Sequence, residues 1–232
     1  LMEKLMEFPS WVGTPGQVIN SPADFFLAPK RMDNLAIPGN MRNGVLSPDD
    51  YWDLAAFFTG FAFNNSDTNR TALQKAQIPI MGNVQPYMTQ SVINIVTGTR
   101  GAAAGRINGA NQNVTYLQVK DNDYAQTLIL DGFAAGATIN RGEIFEIAGV
   151  AAVNPRTKAV LSFNRQFVNL VDAVADGGGN VTLTIANPII TTGAYKTVSA
   201  APADNAIVTF IGNASTAYPV NATFHKSSIA LA

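Results

Sequence analysis

The sequence predicts an α+β protein in which a β-rich segment interrupts a section that mixes helices and strands. Residues 1–99 contain helical hydrophobic periods as well as strands, whereas residues 100–220 contain short β segments separated by Gly, Pro and Asn turns. The chain resumes an apolar, strand-like pattern over residues 221–232. Many short strands without a helical period are typical of a sandwich or a small barrel. We therefore expect an all-β barrel inserted into a second domain.

The composition excludes several classes of protein. Hydrophobic residues make up 47% of the 232, which argues against disorder, and charged residues only 13%, about half the usual share. A surface buried against other subunits would explain the low charge, and so would an uncharged β protein. The net charge of −1 provides no basic field for nucleic acid or an anionic membrane. There is no cysteine, and no apolar run reaches the length of a membrane span.

Four segments of the first hundred residues carry helix signals, and the clearest begins at Ser47. Ser47 is a capping residue, Pro48 suits the first helical position, and Asp49 and Asp50 place carboxylates in the first turn. Gly60 suits the C-terminal cap of this helix. The predicted helices are residues 1–8, residues 23–34 with a break at Pro29, residues 49–59 and residues 69–77.

Strand signals are concentrated in the second half of the chain. Pro86 suits an edge position in its strand, and Gly149 is expected to end another. Asn154-Pro155 and the glycines at 177–179 predict turns, and the Gly- and Ala-rich residues 98–109 indicate a linker or mobile loop. The predicted strands are residues 45–46, 84–96, 114–120, 126–130, 143–147, 160–171, 180–185, 207–211 and 224–232.

No catalytic, cofactor-binding or metal site is predicted. His225 is the only histidine and begins a strand, so we interpret it as structural or solvent-facing. Asp121-Asn122-Asp123 begins like a calcium loop, but the later glycine and glutamate ligand positions are not filled. The glycines at 101 and 105 have neither the spacing nor the lysine of a phosphate-binding loop. Asp49 and Asp50 are explained by the helix dipole without catalysis.

Five stretches, in order along the chain, resemble the major capsid (coat) proteins of tailed double-stranded DNA bacteriophages. The resemblance is to the podovirus-type coat proteins, in which a telokin-like β-barrel, the I-domain, is inserted into the common tailed-phage capsid fold. The stretches are GVLSPDDYWDLAAFFTG (44–60), ALQKAQIPIMGNVQPYMTQSVINIVTGT (72–99), RGEIFEIAGVAAVNP (141–155), NVTLTIANPIITTGAYKTVSAAPADNAIV (180–208) and FHKSSIALA (224–232).

This resemblance implies a domain division and a function. Residues 1–99 would form part of the shell-forming fold, residues 100–220 the inserted barrel, and residues 221–232 the returning strand. The protein would self-assemble as pentamers and hexamers into an icosahedral shell in the virion. Assembly would take place in the host cytoplasm, with a scaffolding protein and a portal, and the shell would hold double-stranded DNA non-specifically without any membrane. The non-Met start at Leu1 and the unclosed strand at the end suggest a fragment of such a protein.

The resemblance also suggests contact residues between capsomers. The family's early barrel loop reaches another capsomer, and the matching residues here run from about 101 to 123. Its charged residues, as possible intercapsomer ion-pair partners, are Arg106, Lys120, Asp121 and Asp123.

Two alternatives come from other functional classes. A β-rich surface module that binds glycans or a host receptor would show clustered exposed aromatic residues on a concave face of the barrel. A hydrolase would need Asp49, Asp53 and another acid together in one pocket.

Overall fold

A computed structural model describes residues 7, 10–60, 78–101, 105–115 and 125–228. The chain divides into two compact units. The first unit comprises Leu1–Trp11 and Ile95–Ala217, and the second comprises Val12–Asn94 and Tyr218–Ala232. We call them the barrel unit and the mixed unit.

The described residues form a mixed set of helices and strands, which confirms the predicted α+β class. The helices are α1 (Pro22–Phe25), α2 (Leu27–Asn34) and α3 (Pro48–Gly60), followed late in the chain by a 3-10 turn (Lys226–Ser228). The strands are β1 (Arg42–Leu46), β2 (Val84–Met88), β3 (Ile93–Val96), β4 (Arg106–Ile107), β5 (Ala125–Asp131), β6 (Thr138–Ile139), β7 (Ile144–Val153), β8 (Val160–Asn169), β9 (Ala173–Val174), β10 (Val181–Ala186), β11 (Val208–Phe210), β12 (Ala217–Val220) and β13 (Ala222–His225).

The mixed unit is built on a three-stranded sheet in the order β13-β1-β2. β1 pairs antiparallel with β13 and parallel with β2. α3 begins as predicted, because Ser47 Oγ accepts the Asp50 N–H at 3.1 Å. The helix continues through Gly60, which is therefore its last residue and not its cap. The core of this unit consists of Phe25, Leu46, Leu54, Ala55, Ile78, Met81 and Val84.

Pro86 occupies the outer strand of that sheet, as predicted. The Thr89 N–H donates to the Leu46 carbonyl of β1, whereas the Val84 N–H points the other way and donates to Met81. Since successive residues of a strand alternate in direction, the nitrogen of Pro86 lies on the side away from β1. The proline therefore costs the sheet no ladder hydrogen bond and removes a donor from the edge with which no described strand pairs.

The barrel unit contains a six-stranded sheet in the order β11-β7-β8-β10-β5-β4, and its two ends meet. The Val208 N–H of β11 donates to the Gly105 carbonyl at 2.9 Å, and the Ile107 N–H of β4 donates to the Ala206 carbonyl at 3.0 Å. A bridge between Arg106 and Ile207 lies between these bonds. The sheet is thus a nearly closed barrel, which confirms the predicted all-β insertion.

Aromatic rings fill the centre of the barrel. Phe145 and Phe167 are fully buried, with ring centroids 5.9 Å apart, and Phe210 lies 5.3 Å from Phe145. The aliphatic residues around them are Ile107, Leu128, Leu130, Ile139, Ile147, Val150, Val181, Leu183, Ile185, Ile189, Val198 and Val208. Truncating a fully buried Phe to Ala typically costs about 3–5 kcal/mol, so Phe145 and Phe167 each contribute strongly to the stability of the unit.

The long hairpin of β7 and β8 corrects one prediction. Gly149 does not end a strand; β7 continues through it to Val153. The pairing with β8 shifts between Glu146 and Ala151, and Gly149 lies in that bulge with a φ of +79°. Gly149 therefore marks a β-bulge and not the end of a strand. The predicted turn follows, because Asn154 Oδ1 accepts the N–H groups of Arg156 and Thr157 at 2.9 and 3.1 Å.

Three further predictions are corrected at element boundaries. The expected strand over 84–96 is two strands, because Thr89 Oγ1 accepts the Ser91 N–H in a local turn between them. Of the strand expected over 224–232, residues 224–225 are in a strand, the His225 carbonyl accepts Ser228 Oγ–H at the 3-10 turn, and residues 229–232 lie outside the described residues. The helix over 23–34 does break, but at Phe26, so that Pro29 lies in the first turn of α2, where its missing N–H is tolerated.

Other predictions lie wholly or partly outside the described residues. The helix over 69–77 and residues 1–6 and 8 of the first helix are among them, although Glu7 lies in a turn. Val114 and Thr115 are not in a strand, and the rest of the strand predicted over 114–120 is not described. The exact domain boundaries stay a prediction.

Gly149 and Gly177 provide a matched test of the bulge. A Cβ at either residue would meet no atom within 4 Å, but only Gly149 has a positive φ. We expect Gly149→Ala to destabilise the protein by about 1–2 kcal/mol, because an L-residue strains the left-handed region. Gly177→Ala should be neutral or slightly stabilising. Urea unfolding of the two variants measures this, and equal effects would contradict the assignment of strain to Gly149.

Candidate functional site

Arg106 is the one predicted contact residue that the structure describes. It lies on β4 opposite Asp131 of β5, with its side chain exposed. Its Nη1 donates to the Asn205 carbonyl at 3.3 Å. Arg106 therefore belongs to the outer surface of the barrel, at the seam where the sheet closes. Lys120, Asp121 and Asp123 lie outside the described residues, so their predicted role stays a prediction.

The segment after Arg106 is held by hydrogen bonds along its length. Gln112 acts as a substitute for a strand: its Oε1 accepts the Ile129 N–H at 2.7 Å, and its Nε2 donates to the Ile129 carbonyl at 2.9 Å. The Gly109 N–H donates to Asp204 Oδ1 at 2.9 Å, and the Val114 N–H to the Ile189 carbonyl at 2.9 Å. This loop is thus fixed to β5 and to the 187–205 segment.

A second group of residues holds the two ends of the barrel unit together, and we call it the neck. The neck joins the segment 96–100, at the beginning of the barrel, to the segment 212–216, at the end of the barrel. The Thr97 N–H donates to the Thr216 carbonyl at 3.0 Å, and the Ser215 N–H to the Gly98 carbonyl at 3.0 Å. Thr97 Oγ1 lies 2.7 Å from the Asn213 carbonyl and accepts the Thr216 N–H. Within the segment 98–109, predicted as a linker or mobile loop, residues 106–107 form β4 instead, and backbone hydrogen bonds hold residues on both sides of β4.

A buried ion pair lies at the centre of the neck. Arg100 Nε and Glu143 Oε2 are 2.9 Å apart, and both side chains are almost fully buried. The two atoms form an ionic contact without linear hydrogen-bond geometry. Arg100 Nη2 donates to the carbonyls of Gly212 and Asn213, at 3.2 and 2.7 Å, and its guanidinium lies 5.0 Å from the ring centre of Phe210. One cation thus connects the beginning, the end and the aromatic core of the barrel.

The carboxylate of Glu143 organises the backbone on its other side. Oε1 accepts the N–H groups of Gly98 and Asn140, at 2.6 and 2.7 Å. Burial raises the pKa of Glu143 above its ordinary value of 4.5, although these two N–H groups and Arg100 act in the opposite direction. Gly98 is needed here because an added Cβ would lie only 2.0 Å from the Thr138 carbonyl oxygen.

The described residues offer no constellation for catalysis. Asp49 and Asp53 are exposed, whereas Asp50 is buried and accepts hydrogen bonds from the Ile19 N–H at 2.7 Å and from Asn221 Nδ2 at 2.8 Å. His225 bonds to the adjacent Ser227. No group of three or more metal-ligating side chains occurs in the described part of the chain. Across the same residues, no helix has the length and apolar character needed to cross a membrane.

Sequence reasoning missed the neck. From the sequence, Arg100 lies in the linker or mobile loop predicted over 98–109, and Glu143 begins the strand predicted over 143–147. The available signal was that two glycines, Gly98 and Gly101, flank a lone arginine directly before the β-rich segment, in a chain with few charges. The partner of that arginine is 43 residues away (143 − 100), and no local pattern identifies it.

The comparisons with known proteins place the chain in a family. Residues 11–232 match the family model described as "P22 coat protein - gene protein 5". The chain therefore belongs to the P22 coat protein family, the tailed-phage major capsid proteins that carry an inserted I-domain. This family is structural, and its members are components of the virion capsid.

Solved structures also include similar chains. The "CUS-3 coat protein I-domain" is 23% identical to this chain, with a TM-score of 0.33; the match covers 47% of this chain and 94% of that one. No curated protein sequence matches the chain.

Arg100 and Arg106 provide a matched test of the neck. Arg100→Leu leaves Glu143 buried without its cation, and breaking a buried pair in this way costs about 3–5 kcal/mol. Arg106→Leu removes one exposed hydrogen bond and should change stability by no more than about 0.5 kcal/mol. Hydrogen exchange measured by mass spectrometry on peptides spanning 96–100 and 212–216 should show faster exchange only in the first variant. Similar exchange in both would show that the ion pair does not hold the neck.

The raised pKa of Glu143 predicts a pH dependence of stability. Between 4.5 and that raised pKa the folded protein binds more protons than the unfolded chain, so stability contributed by this group is present below 4.5 and is lost as the pH rises through the folded pKa. Glu143→Gln should remove this slope, because an amide does not titrate, and should lower stability at the pH values where Glu143 is ionised, because the amide cannot pair with Arg100. Urea unfolding at several pH values from 4 upwards measures both effects, and an unchanged slope in the variant would exclude Glu143 as its source.

Proposed function

We propose that this chain is part of a subunit that self-assembles into an icosahedral shell of pentamers and hexamers around phage double-stranded DNA. The observation that carries the proposal is the family match over residues 11–232, which gives the chain a structural role in a capsid. The mixed unit would contribute to the shell, and the barrel unit would brace the subunit and its contacts between capsomers.

The surface of the mixed unit supports a role in assembly. Charged residues are scarce in the chain, at 13%, and interfaces between subunits are depleted of charge. Large apolar side chains exposed on this unit are Val18, Phe26, Leu27, Met41, Trp52, Ile80, Tyr87 and Met88. Contact with neighbouring copies would remove these side chains from water.

The neck supports the role of the barrel unit as a brace. Thr97 and Gly98 are bonded to Thr216 and Ser215, and Arg100 ties both segments to the core through Phe210. A barrel whose two ends are joined in this way transmits force as one body, since opening it would require breaking a buried ion pair.

The contacts proposed for the early barrel loop remain Arg106, Lys120, Asp121 and Asp123, as partners in ion pairs between capsomers. The described part of this loop supports that role, because Gln112 and Asp204 fix the backbone that follows Arg106. A loop held in this way loses little conformational entropy on binding.

The other proposed partners are a scaffolding protein, a portal and the packaged DNA, with assembly in the host cytoplasm. The net charge of −1 favours only weak, non-specific contact with DNA. The glycan-binding alternative receives no support from the described part of the barrel unit, where Tyr195 is the one exposed large aromatic residue.

Electron microscopy of the complete gene product tests the proposed function. Expressed alone or with its native phage proteins, it should form closed shells or ring-shaped capsomers. Arg100→Leu should lower the yield of particles, because it destabilises the subunit. Arg106→Leu alone should leave the subunit folded. Discrete monomers or dimers at every concentration, with and without the phage proteins, would contradict the shell-forming role.

A further inference from the structure

The charges of this chain are segregated along its sequence. Residues 147–171 and 177–203 contain no Asp or Glu, but they include Arg156, Lys158, Arg165 and Lys196. Residues 43–69 show the reverse pattern, with Asp49, Asp50, Asp53 and Asp67 and no Lys, Arg or His.

The basic segments meet at one end of the barrel, and we call this surface the basic tip. It consists of Arg156, Lys158, Val160, Tyr195 and Lys196. The β7–β8 hairpin turns there, and Lys158 Nζ donates to the Lys196 carbonyl at 3.5 Å. The Val153 N–H donates to the Thr197 carbonyl at 3.4 Å, while Val153 pairs with Val160 on its other side.

The basic tip is also partly apolar and is held in place. Val160 is 58% exposed and Tyr195 is 49% exposed. The turn is fixed by Asn154 Oδ1, which accepts the N–H groups of Arg156 and Thr157. An exposed tyrosine next to Lys196, with Arg156 on the fixed turn, is typical of a protein-binding surface, since Tyr and Arg are enriched among residues that dominate binding energy.

A surface of opposite sign lies on α3, and we call it the acidic stripe. Asp49, Trp52 and Asp53 are spaced i, i+3 and i+4, so they share one face of the helix. All three side chains are exposed, and Trp52 is 55% exposed. Asp50, in contrast, is buried in the cap of the helix and is not part of the stripe.

We propose that the basic tip of one copy docks on the acidic stripe of a neighbouring copy. This inference rests on the proposed function, because it assigns the surfaces by which two subunits recognise each other. The charges are complementary, and each surface carries an exposed aromatic ring, Tyr195 and Trp52 respectively. The tip and the stripe are different surfaces, so their contact is heterologous and continues from copy to copy, which builds rings and shells.

A second copy fits the basic tip better than a nucleic acid does. The tip offers three cations, Arg156, Lys158 and Lys196, so it would neutralise at most three phosphates and gain little from the release of counterions. The exposed valine and tyrosine also suit a partner with an apolar component. Trp52 between two carboxylates provides both components on one helix face.

Charge reversal with reciprocal rescue tests the pairing. The variants, made in the complete gene product, are Arg156→Glu with Lys158→Glu at the tip and Asp49→Lys with Asp53→Lys at the stripe. We expect each pair to lower self-association at least tenfold by sedimentation velocity, and the combination of all four changes to restore it to within twofold of wild type. Rescue is expected because the opposed charges are exchanged and again attract.

Two controls separate the pairing from net charge and from folding. Lys30→Glu with Lys226→Glu makes the same charge change at exposed residues outside the tip, and combining it with the stripe variant should not rescue association. If circular dichroism shows that Asp49→Lys disturbs the start of α3, the test is made with one change on each surface, Asp53→Lys at the stripe and Lys158→Glu at the tip. Wild-type self-association should also weaken as salt rises from about 0.05 to 0.5 M, because salt screens exposed charges.

The possible outcomes distinguish this inference from the proposed function. Closed shells in wild type without reciprocal rescue would overturn the docking and leave the shell-forming role intact. If the variants lose and regain the formation of small oligomers but no shells form under any condition, the docking would be supported and the shell-forming role contradicted. A tip variant that associates normally but loses retention on heparin would overturn the docking and identify a polyanion as the occupant of the tip.

Discussion

The buried pair of Arg100 and Glu143 is the interaction on which the barrel unit depends. A charge removed from water is costly unless it is paired and hydrogen-bonded, and each partner here has further bonds. Arg100 donates to two carbonyls near the end of the barrel, and Glu143 accepts the N–H of Gly98 near its beginning as well as that of Asn140. Either charge can therefore be buried at low cost only when these distant segments are correctly joined. Such a requirement favours one arrangement of the chain over its alternatives.

Close approaches between backbone segments also hold the barrel together. Gly98 lies so near the Thr138 carbonyl that no side chain fits, and an added Cβ at Gly105 would lie 2.3 Å from the ring of Phe133. The seam of the barrel beside Gly105 is closed by backbone bonds to β11, and Gln112 supplies with its side chain the bonds that a longer strand would have made. The barrel is thus closed by a combination of small residues and one amide side chain.

The sequence predicts the elements of this structure better than their connections. Ser47, Pro48 and Asp50 define the start of α3 because capping is local, and Asn154-Pro155 defines a turn for the same reason. Gly149 was recognised as special but not as a bulge, since the distinction depends on whether β8 continues opposite it. Arg100 and Glu143 escaped prediction because their meeting is decided by the tertiary fold. The family resemblance predicts the architecture, whereas the residues that hold the neck are brought together only in the folded chain.

The neck has a consequence for how such a protein changes over evolution. Because Thr97 faces Thr216 and Gly98 faces Ser215 through backbone hydrogen bonds, the two ends of a segment of more than a hundred residues are separated by only one strand spacing. A two-residue hairpin turn spans that gap. Adjacent ends of this kind make the segment between them a cassette that a recombination event could exchange, although Glu7 and Trp11 also contact that segment through Arg141 and Gln166. Foreign domains with similarly adjacent ends could be grafted at the same place.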